Sequence, residues 1–167
     1  MRKVVIKYEP PLNRKERIAR LFREAIEAEN QKDLETAKKK LDEILHESME
    51  EEPELYFEAC FRLADIFLQE DNYRGAVKCA LRAIYNAPND DLFRLGFKRL
   101  GDILTIIRDA GKELELTENM DSLRVLLKED KLLSKFLEAL IKAAKGEEVS
   151  VEFPVKEMNE ALEALKG

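Results

Sequence analysis

An all-α fold is what this sequence predicts, on three observations. Glycine and proline are scarce, 6 and 5 among 167 residues, while Ala, Leu, Glu and Lys abound. Apolar residues recur at three- and four-residue spacing over most of the chain, as in Phe93, Phe97, Leu100 and Leu104. Short polar breaks such as Asn30-Gln31-Lys32 and Asp71-Asn72 interrupt that pattern at intervals suited to helical hairpins. The chain is 38% charged, yet 45% of it is hydrophobic and regularly placed, which predicts a packed core rather than disorder.

The elements follow in order. Lys3–Tyr8 alternates Val4, Ile6 and Tyr8 with Val5 and Lys7, a short strand that Pro10-Pro11 ends. Asn13, three residues before Glu16, has capping-box spacing and opens a helix with Ile18, Leu21, Phe22, Ala25 and Ile26 on one face. Asp33 caps a second helix with Leu34, Ala37, Leu41, Ile44 and Leu45 as its stripe, and Met49 to Pro53 is an acidic break. Leu55–Gln69 forms a third helix, and Asn72 caps a fourth that Pro88-Asn89-Asp90 stops. Leu92–Asp109 is a fifth, with Gly111 as its C-terminal cap. Helices near Met120–Glu129 and Lys131–Lys145 come next, then a strand-like alternation at Val149, Val151 and Phe153. Pro154 opens a last short helix to Leu165 with Met158, Ala161, Leu162 and Leu165 on one side.

One unit repeats. Residues 57–90 read Cys60-x2-Leu63-Ala64-x2-Phe67, Tyr73, Ala76-x3-Ala80-x2-Ala83, Pro88. A second copy reads Leu21-x3-Ala25-x2-Ala28, Leu34, Ala37-x3-Leu41-x2-Ile44, with Ala37 and Ala76 39 residues apart. A third begins as Phe97-x2-Leu100-Gly101-x2-Leu104 and then departs. Small residues at Ala64 and Ala76 let neighbouring helices approach, larger ones fill the gap, and Pro88 stops the second helix by removing an amide donor.

This pattern resembles the tetratricopeptide repeat family over about residues 14–110. The resemblance implies a right-handed α-α superhelix of antiparallel helix pairs in a single domain. Repeats fall at about 14–50, 54–90 and 91–129, and residues 130–167 cap the stack. The stripe of Leu132, Leu133, Phe136, Leu137, Leu140 and Ile141 suits such a cap, or a dimer contact. Binding in that family uses the concave face lined by the first helix of each pair. The register places there Phe22, Arg23, Ile26 and Glu29; then Phe61, Arg62, Asp65, Leu68 and Gln69; then Lys98, Arg99, Asp102 and Thr105. Arg23, Arg62 and Arg99 form a column able to grip carboxylates or phosphates. Asp65 and Asp102, three residues after an Arg, would instead neutralise it within the same helix. They also stand where carboxylate-clamping members of that family have Asn, and Phe22 and Phe61 where those have Lys, so that specificity is not expected here.

The expected function is therefore an adaptor for a protein or peptide partner, neither an enzyme nor a cofactor or metal carrier. The single His46 rules out a multi-histidine site, and the sequence holds no phosphate-cradling glycine loop, no HExxH and no nucleophile elbow. Cys60 and Cys79 lie among apolar helical residues without a CxxC pair, which points to core packing and a reduced, cytoplasmic chain. No run approaches the length of a membrane span. Only two glutamines among many Glu and Lys is a heat-adapted bias. The alternative is RNA association: residues 1–23 carry +6, but they leave −12 on the rest of a chain of net charge −6, which disfavours nucleic acid.

Overall fold

The computed structural model describes residues 12–167, and all of their regular structure is helical. The helices are α1 Arg14–Asn30, α2 Leu34–Ser48, α3 Pro53–Gln69, α4 Tyr73–Tyr85, α5 Asp90–Asp109, α6 Asp121–Leu127, α7 Lys131–Ala144 and α8 Lys156–Lys166, with a 3-10 turn at Glu113–Thr117. The expected strand at Lys3–Tyr8 lies outside the described residues.

Caps set the boundaries. Asn13 Oδ1 accepts the Glu16 amide at 2.9 Å, and the Asn13 carboxamide donates to the Glu16 carboxylate at 2.7 Å. Asp33, Asn72 and Asn89 cap α2, α4 and α5 in the same way. Pro53 takes the first turn of α3, so this helix begins two residues before the apolar pattern does. Both hairpin turns close by one device. Lys32 (φ 61°) follows α1 and Asp71 (φ 58°) follows α3; in each turn the next residue's amide reaches back to the helix, Asp33 to Ala28 and Asn72 to Phe67. Gly111 and Gly146 hold the same left-handed position after α5 and α7, where glycine carries no Cβ penalty.

Packing follows the predicted hairpins through α4. α1 lies on α2, α3 on α4, and α2 and α4 each pack on the helix that follows them. Ala25, Ala37, Ala64 and Ala76 on these helices are all fully buried. The third pair breaks the sequential rule. α5 does not take the next helix as its partner; it packs along its length on α8, which also touches α7. At Gly101 a Cβ would sit 3.6 Å from the Ala161 backbone, the small-on-small approach that a close helix pair needs.

The apolar stripe of α7 is used inside the chain. Phe136 stacks edge-on against Phe97 of α5 at 4.9 Å and against Phe153 at 5.7 Å, while Phe93 meets Phe97 at 5.1 Å. Residues 149–153 form no strand, which corrects the expectation from their alternation. Phe153, the last of them, has a side-chain partner instead. Asn159 Oδ1 accepts the Phe153 amide and its Nδ2 donates to the Phe153 carbonyl, both at 2.9 Å, giving that residue the two hydrogen bonds a neighbouring strand would supply.

Candidate functional site

α3 and α5 are the first helices of successive pairs, and a cleft of about 350 Å³ opens between them. Its apolar lining is Phe61 and Leu68 from α3 with Ile103 and Ile106 from α5; its charged lining is Glu58, Arg62, Asp65, Arg99 and Asp102. The helical repeat places them there. Arg62, Asp65 and Leu68 fall at successive threes on α3, and Arg99, Asp102 and Ile106 fall at three and four on α5. Ile106 is 49% exposed at this opening.

Six of the thirteen residues that the register places on the concave face come together here: Phe61, Arg62, Asp65, Leu68, Arg99 and Asp102. The other seven do not line the cleft. Lys98 is turned toward the start of α8, beside Lys156, Glu157 and Glu160. Phe22 and Arg23 are on α1, and Gln69 is the exposed last residue of α3. Glu58, Ile103 and Ile106 were not expected in the site. Their signal was present in the register, since Ile106 lies four residues after Asp102 on the same face of the helix.

The arginines are engaged between helices, not within them. Arg99 donates to both carboxylate oxygens of Glu58 at 3.3 Å, and its guanidinium lies over the rings of Phe61 (5.3 Å) and Phe57 (5.5 Å). The buried Nε of Arg62 has no hydrogen-bond partner and stands 3.5 Å from the Glu29 carboxylate on α1. Each arginine thus reaches back to an acid on the first helix of the preceding pair. The expected same-helix pairings with Asp65 and Asp102 do not form: neither aspartate joins an ion pair among the described residues. A side chain of fixed length chooses its partner by where the facing helix presents charge, and here the facing helix lies within reach.

Desolvation colours the acids around Arg62. Burial raises the Glu29 carboxyl above its ordinary value, with Arg62 opposing and Asp65 adding to the shift. Burial likewise raises Asp65, against the attraction of Arg62 and Arg99.

The remaining candidates are quiet. In a hollow of about 480 Å³ between α1 and α2 most of the lining charges pair with one another: Arg17 with Glu47, and Arg20 and Lys40 both with Glu24. Cys60 and Cys79 are buried free thiols pushed up to about 12 by that burial, which leaves them protonated and unreactive. Of the Lys38-Lys39-Lys40 run only Lys39 is fully on the wet side; Lys38 bridges to Glu70, the C-cap of α3, and lies over the Phe67 ring. No helix among the described residues is long and apolar enough to cross a membrane. No protein-family model matches this chain, and neither the curated proteins nor the solved structures give a match to it.

Proposed function

We propose that this chain is a docking scaffold of the tetratricopeptide-like kind, one that recruits a segment of a partner protein into the cleft between α3 and α5. The observation that carries this reading is the cleft itself. It lies between the first helices of two successive pairs and offers an apolar lining of Phe61, Leu68, Ile103 and Ile106 within a rim of charge. The pairing of α5 with α8 supports it, because a third helical pair makes α5 a wall backed by structure rather than a free end. α8 contributes no residue to the cleft, so the last helix backs the site without filling it. Two buried, free thiols suit work in a reducing compartment such as the cytoplasm.

RNA association is the weaker reading. Arg14, Arg17 and Arg20 pair with Glu51, Glu47 and Glu24, so much of the basic charge at the start of α1 is met by acids of the chain itself. A photo-crosslinking residue placed at Ile106 tests the docking reading, with the same residue at Val125, an exposed position on α6, as control. A partner captured from Ile106 and not from Val125, and lost on adding Phe61→Ala, is the expected result. Identical capture from both positions refutes a docking role for the cleft.

A further inference from the structure

The cleft's charges select the kind of segment it takes; this inference rests on the docking reading above. Its two arginines already have acids: Arg62 faces Glu29, and Arg99 holds Glu58 while stacked on Phe57 and Phe61. Its aspartates join no ion pair among the described residues. Asp65 on one wall and Asp102 on the other hold equivalent places, 37 residues apart. The lining carries three acids to two bases, and Glu29 behind Arg62 adds a fourth acid. An incoming carboxylate or phosphate would have to displace Glu29 or Glu58 and would then lie beside two carboxylates that join no ion pair of their own. An incoming ammonium or guanidinium meets two carboxylates that lack a partner and displaces nothing.

We propose that the cleft takes a basic-apolar segment of a partner protein: an aliphatic or aromatic side chain seated against Leu68, Ile103 and Ile106, next to a Lys or Arg between Asp65 and Asp102. The net charge of −6 draws cationic segments to the chain at long range. The volume of about 350 Å³ sits at the small end of ligand clefts, so a short anchor of a few side chains is what fits.

The test is selection of a displayed library of random twelve-residue peptides on the intact chain. The best peptide is then synthesised and titrated by fluorescence anisotropy against the chain and its variants, each checked for folding by circular dichroism. The expected peptides join Leu, Ile, Phe or Met to Lys or Arg. Their binding falls about tenfold in the Asp65→Asn, Asp102→Asn double variant, falls with added salt, and does not weaken in Arg62→Gln. Enriched acidic peptides that lose affinity in Arg62→Gln or Arg99→Gln, and keep it in the double Asn variant, overturn the basic-apolar assignment and leave the docking reading standing. Peptides indifferent to Ile106→Asp, or a library that yields no binder, overturn both. A concentration-dependent dimer abolished by Ile106→Asp puts a second copy in the cleft and overturns the partner assignment.

Discussion

Two glycines five residues apart on α5 respond in opposite ways to the same substitution. Alanine in a helix interior is worth about 1 kcal/mol over glycine, so propensity favours both Gly96→Ala and Gly101→Ala equally. Their surroundings differ. A Cβ on Gly96 would lie 2.5 Å from Cγ1 of Ile84 and 3.4 Å from the Phe57 ring. Ile84 is 1% exposed and β-branched, so its Cγ1 moves away only if a packed core moves with it. Overpacking of that kind costs about 1–3 kcal/mol, which exceeds the propensity gain. A Cβ on Gly101 meets nothing closer than 3.6 Å, ordinary contact with Ala161. The expected net effects are a loss of about 1 kcal/mol at Gly96 and a gain of about 0.5–1 kcal/mol at Gly101. In a domain of this size each kcal/mol moves Tm by about 2–4 °C. Urea titration and thermal melts of the two variants measure both. Equal shifts, or a stabilised Gly96→Ala, would refute the packing of α5 against α4 and α8.

Leu162, 3% exposed in α8, tests whether the last helix is a full structural partner of α5; Leu162→Ala is expected to cost about 2–5 kcal/mol in a single cooperative urea transition, and a loss below about 1 kcal/mol would make α8 a loose appendage. Lys32 holds a left-handed backbone at φ 61°, so Lys32→Gly should stabilise by about 0.5–1 kcal/mol, as read from the urea midpoint at unchanged m-value. Burial raises the Cys60 and Cys79 thiols to about 12, against about 8.5 in an unfolded chain. Between those values the unfolded chain releases protons that the folded chain keeps, so this contribution to stability is whole below about pH 8.5 and declines as pH rises toward about 12. Urea melts at neutral and alkaline pH should show a shallower alkaline loss in the Cys60→Ala, Cys79→Ala variant than in the parent; parallel losses would refute the assignment.

Two thirds of the residues lining the site were legible as spacing. Arg62 with Asp65 and Arg99 with Asp102 share a face by helical periodicity alone, and the equivalence of the two helices followed from Ala64 and Gly101. Ion-pair partners were not legible. Arg62 prefers Glu29 and Arg99 prefers Glu58 because the preceding first helix brings those acids within reach, and no spacing within one helix encodes that distance. Lys98 was assigned to the groove for the same reason that it left it. It lies one residue before Arg99, hence about 100° around the helix, and α8 occupies that side.

Local chemistry in the sequence set most of the helix ends. Asn13, Asp33 and Asn72 satisfy free amides, Pro53 and Pro88 lack one, and Gly111 and Gly146 take the left-handed turn, all of which are properties of a few adjacent residues. The tertiary structure alone decided which helix lies beside α5, how the charges across the cleft pair, and whether residues 149–153 join a sheet. Each of these depends on groups far apart in sequence competing for the same space. α8 wins the place beside α5 because Ala161 can approach Gly101, and the Asn159 carboxamide takes the hydrogen bonds that a neighbouring strand would have made.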